Sequence, residues 1–202
     1  SVGVPLILTN GGSNLSCRYS TLENAISALN SASITSPVII TVYGPQTAPD
    51  GTGYLITQSG TQSNPITIEG ISSIITSGLN SSGGELDAVF KLNGSDYITI
   101  QNFQISENNL NINTSIGISN TMTEAGILLI HSDALNGANN NSIINNIISL
   151  NSSYPNNFGI LSTSASTTSN YSPGSNSPND ASNISGTNSN NKIYSNSISN
   201  VT

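Results

Sequence analysis

The stretch "NNNSIINNIISLN" (residues 139–151) sets isoleucines in the pattern of a buried strand and packs asparagines around them. Asparagine forms strands poorly and turns readily. The combination suits a chain that runs straight briefly, bends, and runs straight again. Three other segments share the pattern: "NPITIEG" (64–70), "DYITIQNFQI" (96–105) and "NKIYSNSISN" (191–200). Aligned on Ile68, Ile100, Ile143 and Ile193, the last three carry a second isoleucine five residues on, at Ile105, Ile148 and Ile198. Five is an odd step, so one straight strand would send the two side chains to opposite faces. Both point inward only if the backbone bends between them. The intervening residues, Asn102, Asn145 with Asn146, and Ser195 with Asn196, are suited to such a corner, because Asn tolerates the left-handed conformation.

A second family of strands precedes each corner: "AVFKL" (88–92), "GILLI" (126–130) and "FGILS" (158–162). Phe90, Leu128 and Leu161 are expected to face inward, which sends Val89, Ile127 and Ile160 outward as an apolar stripe. Such a stripe needs cover from an insertion or another chain, unless Gly126 or Gly159 shifts the phase. The expected architecture is all-β, a right-handed parallel β-helix whose stacked rungs bury columns of isoleucine. Residues 1–36 would form an N-terminal cap, and 37–202 the rungs, with loop insertions at about 106–124 and 162–188. "YSTLENAISALNSA" places Leu22, Ala25, Ile26 and Leu29 at helical spacing, with Ser20 and Glu23 as a capping box. A helix over about 20–31 is therefore expected, followed by a first strand at 37–43.

Composition narrows the function classes. Only 6% of the 202 residues are charged, against roughly a quarter in an average domain. Arg18, Lys91 and Lys192 face ten acidic residues, for a net charge of −7. Nucleic acid and anionic membranes need clustered cations, so neither is an expected partner. No apolar run approaches a membrane span. Cys17 is alone, and its ordinary role is that of a small buried apolar residue. Ser1 opens directly into "VGVPLIL" and the chain stops at "SISNVT", which suggests an excised piece of a longer polypeptide.

The segments "YSTLENAISALNSASITSPVIITVYG", "SNPITIEG", "KLNGSDYITIQNF" and "NNSIINNIISLN" resemble the parallel β-helix regions of large secreted surface proteins of Bacteroidetes-type bacteria. The resemblance implies an extracellular or cell-surface location, neighbouring modules of a longer chain, and export by type IX secretion. The motif residues it rests on are structural, so it implies no activity.

Candidates for chemistry are few, and each has a structural rival. His131 and Asp133 in "IHSDA" carry the residue types of a hydrolytic triad, yet neighbours on an extended chain point to alternate sides. Glu85, Asp87 and Asp96 flank the "AVFKL" strand, where carboxylates would do glycosidase chemistry or ligate calcium. Turn capping is the structural rival, and calcium is the only metal these residues suggest; no other cofactor is expected. Tyr97, Tyr154 and Tyr194 are candidates for stacking on sugar rings, against a rival role as surface shields of strand hydrogen bonds. The expected function is a non-catalytic adhesive or spacer module presenting loops to a glycan or a surface protein. A polysaccharide-active lyase or glycoside hydrolase is the alternative. Ice binding ranks last, because Thr67 and Thr99 align but Ser142 and Lys192 follow them.

Overall fold

The computed structural model describes residues 6–80, 86–115, 120–164 and 183–202. Strands β1 (Leu6–Thr9) and β2 (Arg18–Tyr19) precede helix α1 (Leu22–Asn30). Then come β3 (Val38–Tyr43), β4 (Gln46–Thr47), β5 (Tyr54–Ile56), β6 (Ile66–Thr76), β7 (Ala88–Asn93) and β8 (Ile98–Ser106). The remainder holds β9 (Ala125–Ile130), β10 (Ser142–Ile144), β11 (Ile147–Ser149), β12 (Phe158–Ser162), β13 (Lys192–Tyr194) and β14 (Ser197–Ser199).

These strands form two sheets. The first has ten strands in the path β13-β10-β8-β6-β3-β1-β2, with β11 joining β14 to β8 and β4 joining β6. It is mixed, because β1 runs antiparallel to both β2 and β3. The second is parallel, in the order β12-β9-β7-β5. This topology corrects the expectation of an all-β right-handed parallel β-helix. The protein is a mixed, α/β-like arrangement of two separate sheets with a packed helix, not a solenoid. The antiparallel strand β1 escaped the sequence reading because its partners are chosen by tertiary pairing, which a search for repeats does not detect.

The repeated segments become parallel neighbours in the first sheet. Ile40, Ile68, Ile100, Ile143 and Ile193 are in register, as are Ile75, Ile105, Ile148 and Ile198. Of these, the residues from Ile40 to Ile148 are buried, each worth about 1.5–3 kcal/mol of transfer free energy. Ile193 and Ile198 are not: they are 49% and 43% exposed, because β13 and β14 are the last strands of the sheet. The bend between the paired isoleucines is present, with Asn102, Asn145 and Ser195 at φ 63°, 54° and 57°. In β6 the register shifts between Glu69 and Ser73, which is why Ile75 falls outside the five-residue spacing.

In the second sheet, Phe90 pairs with Ile127 and Ile127 with Ile160, all packed on the main core. Val89 belongs to the same core, while Leu128 and Leu161 join a smaller apolar cluster with Leu86, Ala88, Ala125 and Ile130. The expected outward stripe of Val89, Ile127 and Ile160 is therefore corrected. The phase slips at Gly126 and Gly159, whose missing side chains admit the facing isoleucines. A Cβ on Gly126 would lie 2.6 Å from Ile148 Cγ2, and one on Gly159 would collide with Ile198. Within the 106–124 insertion, Leu110 and Ile112 are 68% and 79% exposed and cover nothing. Ile116, Ile118 and most of the 162–188 insertion lie outside the described residues.

Helix α1 buries the four residues expected, Leu22, Ala25, Ile26 and Leu29. Its N-cap is Thr21 rather than Ser20, since Thr21 Oγ1 accepts from the Asn24 amide at 3.1 Å. Cys17, expected to be buried, is exposed.

Asparagine side chains complete the backbone hydrogen bonding where the strands bend. Asn146, fully buried, accepts from the Phe103 amide at 3.0 Å and donates to the Ile100 carbonyl at 3.1 Å. Asn141 does the same for the Ile98 amide and the Ser95 carbonyl, each at 2.8 Å. Each unpaired buried backbone group costs about 1–3 kcal/mol. Asn146→Ala, which strands one donor and one acceptor, is therefore expected to lose about 2–4 kcal/mol in urea unfolding. Exposed Asn145, already at φ 54°, is expected to accept glycine within about 1 kcal/mol. Equal losses in the two variants would contradict this account.

Candidate functional site

Because Ala88 and Ala125 pair in register, the residues just before them, Asp87 and Glu124, stand side by side. The Ala125 amide donates to the Asp87 carbonyl at 2.9 Å, and the Phe158 amide to the Glu124 carbonyl at 2.7 Å. Asp87, Glu124 and Asn157 thus enter β7, β9 and β12 at one level, and all three are buried. Glu124 Oε2 accepts from the Asp87 amide at 2.9 Å, and its Oε1 accepts from the Tyr154 hydroxyl at 3.0 Å. Burial, reinforced by the Asp87 charge, pushes the Glu124 carboxyl up to about 7 against the lowering effect of these two donors. Burial and the same glutamate push the Tyr154 hydroxyl up to about 12.

A third acid, Glu107, lies one step away. Glu107 accepts from the Thr123 amide at 3.0 Å, the Thr123 hydroxyl at 2.8 Å and the Ser77 hydroxyl at 2.7 Å. It also accepts from Asn111 Nδ2 at 2.9 Å, so it fastens the start of the 106–124 insertion to its end. Between Ser77, Asn80, Asp87 and Thr123 lies a cavity of about 10 Å³, room for a single water-sized molecule.

A carboxyl near neutrality beside a second acid is the donor arrangement of glycoside hydrolysis. Here both oxygens of Glu124 are directed at protein donors, and the adjoining cavity cannot take a sugar ring. The arrangement holds the starts of β7 and β9 and the loop bearing Tyr154 together. A more open groove of about 270 Å³ runs between α1 and the β5 region, with Glu23, Ser27, Thr52 and Leu55 among its walls. There Tyr54 donates to the Thr47 carbonyl at 3.0 Å, and burial raises its hydroxyl pKa.

The sequence candidates are dispersed. Asp87 and Asp96 lie before and after β7, whose 6 residues alone span about 20 Å at the rise of an extended strand. Glu85 lies outside the described residues, and no cluster of three or more His, Cys, Asp or Glu residues suited to a metal occurs among the described ones. Asp87 and Asp96, the two described acids of the three, belong to no such cluster. Asp96 Oδ1 accepts from the Asn139 amide at 2.7 Å, a turn-capping role, and burial raises its pKa. His131 is buried, whereas Ser132 and Asp133 are exposed, and Asp133 caps the Leu135 amide at 2.7 Å. The tyrosines do not form a platform: Tyr194 is exposed on β13, Tyr97 half-buried at φ 56°, and Tyr154 buried against Glu124. The surface role expected for Tyr154 is corrected accordingly.

Glu124 was missed from sequence, although a signal existed. "DAVFKL" and "EAGILLI" each place an acid directly before an alanine that opens a strand of the second family. Aligning those strands on their acids, rather than on Phe90 and Leu128, would have paired Asp87 with Glu124.

No family model matches the chain, and neither a curated protein nor a solved structure shows significant similarity to it.

The raised Glu124 pKa has a definite thermodynamic sign. The folded state holds this proton up to about 7, whereas an unperturbed glutamate releases it near 4.5. Its contribution is full below about pH 4.5 and is lost as pH rises through about 7, a change of roughly 3 kcal/mol. Glu124→Gln keeps an acceptor for the Asp87 amide and cannot ionise. The stability of the wild type minus that of the variant, from urea unfolding at stepped pH, is expected to fall between about pH 4.5 and 7.5. A constant difference would show that Glu124 is not the titrating group.

Proposed function

We propose that this chain is a non-catalytic extracellular or cell-surface module, an adhesive or spacer element that presents loops to a glycan or a protein. The observation that carries this reading is where the polar side chains are used. Asn141, Asn146, Glu107, Asp96 and Glu124 are engaged in holding backbone groups and neighbouring segments in place. The surface left for contact includes sparsely charged loops, apolar tips such as Leu110 and Ile112, and the groove beside α1. The scarcity of basic residues, three in 202, suits an extracellular location, and the net charge of −7 disfavours nucleic acid.

A polysaccharide-active reading draws on one observation, the Glu124 carboxyl near neutrality beside Asp87. Against it stand the inward aim of both oxygens and the size of the adjoining cavity. The test is a panel of neutral and acidic polysaccharides and extracellular proteins, scored for retention and for turnover. Retention without turnover, weakened by Leu110→Ser with Ile112→Ser or by Leu55→Arg in the groove, is expected. Turnover abolished by Asp87→Asn or Glu124→Gln would establish the enzymatic reading instead.

A further inference from the structure

We propose that the groove between α1 and the β5 region binds one amine-bearing sugar ring of a polysaccharide, with the ammonium group of the ring against Glu23. This names the ligand class of the adhesive module proposed above, and it rests on that reading.

The helical repeat builds one wall. Glu23, Ile26, Ser27, Asn30 and Ser31 recur at steps of three and four, so they share one face of α1 and its C-cap. Residues 49–55 supply the other wall. Both walls are fixed before any ligand arrives. Asn30 Nδ2 donates to the Leu55 carbonyl at 2.8 Å, and its Oδ1 accepts from the Thr57 amide at 3.0 Å, which ties the helix to β5. Gly53, at φ 66°, lies so close to β7 that a Cβ there would collide with the Ala88 carbonyl oxygen. Tyr54 is held by its bond to the Thr47 carbonyl and by the Phe90 ring, whose centroid is 5.3 Å away. A preformed site spends less binding energy on ordering its own walls.

Size selects a small unit. The groove, at about 270 Å³, lies just below the roughly 300–1,000 Å³ of small-molecule pockets, so it suits a single ring rather than a helix or a domain. Its surface has two characters. Ile26, Pro49 and Leu55 offer apolar contact to the C–H face of a pyranose, while Glu23, Ser27 and Thr52 offer oxygens to its polar edge. Those three polar side chains are unspent. Among the described residues, none hydrogen-bonds the Glu23 carboxylate or the Ser27 and Thr52 hydroxyls.

Charge chooses among sugars. α1 and residues 49–55 contain two acids, Glu23 and Asp50, and no Lys, Arg or His. Asp50 Oδ1 accepts from the Leu79 amide at 2.8 Å, which leaves Glu23 as the acid lining the groove. Burial raises the Tyr54 hydroxyl pKa and the Glu23 charge adds to the rise, so the field of this carboxylate reaches the opposite wall. A uronic acid or a sulfated sugar is repelled here, and a neutral sugar gains nothing from the charge. A hexosamine with a free amine pairs with it. The net charge of −7 draws a polycationic glycan toward the chain.

The probe is the tetramer of 1,4-linked glucosamine, compared with its fully N-acetylated form, which keeps the rings and removes the charge. Binding to the intact chain is followed by calorimetry and by amide chemical shifts. The amine tetramer is expected to bind about three- to fivefold more tightly at low salt, the size of an exposed ion pair, with the gap narrowing as salt is added. Shifts are expected to centre on Glu23, Ser27, Thr52 and Leu55. Glu23→Gln is expected to bind both tetramers equally and Leu55→Arg to bind neither, with unchanged urea unfolding showing that both variants fold. Equal binding of the two tetramers by the wild type, a preference that survives Glu23→Gln, or shifts elsewhere would overturn the inference. So would displacement of the amine tetramer by an equal concentration of tetralysine, which would mark a site for any cation. If the inference fails while another polysaccharide is still retained, the adhesive function stands without it; retention of nothing removes both.

Discussion

Everything in this fold depends on one interaction: a buried asparagine side chain standing in for the backbone hydrogen bonds that a bending strand loses. Parallel strands must turn if isoleucines five residues apart are both to reach the core, and a turn breaks the regular ladder. Asn146 restores it by offering its carbonyl oxygen to Phe103 N–H and its amide nitrogen to the Ile100 carbonyl. Neighbouring Asn145 takes the left-handed conformation that makes the turn, and links to Asn102 on the surface at 2.8 Å. One residue type thus does two jobs at adjacent positions. Serine, with one oxygen, restores only part of the ladder, as where Ser73 at the equivalent level donates to the Val42 carbonyl at 2.6 Å. A protein with 6% charged residues can fold on these terms because asparagine side chains pair the buried backbone groups at its bends.

The acid cluster is the exception within that scheme. Asp87 and Glu124 enter adjacent strands at the same level, so their proximity follows from strand register. Burial makes two negative charges at this level unfavourable, and the glutamate answers by holding a proton up to about pH 7. Tyr154, packed from a separate loop, donates to it, so the site joins β7, β9 and the segment before β12. A titrating group placed between sheet strands makes stability fall as pH rises from about 4.5 to about 7.

The repeats and their corners were legible in the sequence. The isoleucine registers and the bends at Asn102, Asn145 and Ser195 could be read from isoleucine spacing and the placement of asparagine, because each is dictated by a local pattern. The overall architecture was not. Periodicity identified which strands lie beside which, but it contained nothing about β1, whose antiparallel pairing with β2 and β3 makes the first sheet mixed. It also failed in the second sheet, where "AVFKL" and "GILLI" are apolar at every position but one or two and so carry no phase. Gly126 and Gly159 held the missing information, since a residue without a side chain marks a close approach, here of Ile148 and Ile198. Of the candidate site residues, Asp87 and Tyr154 meet, but only through Glu124, an acid that composition and motif searching passed over.

The most direct test is the hydrogen-exchange rate of two backbone amides, Ile98 and Phe103, whose acceptors are the Asn141 and Asn146 side chains. If asparagine side chains hold the strands through their bends, both amides exchange only on global unfolding, as slowly as the strand amides of Ile100 and Ile68. Exchange of Ile98 and Phe103 at the rate of exposed loop amides such as Ile112, while the strand amides remain protected, would contradict that account.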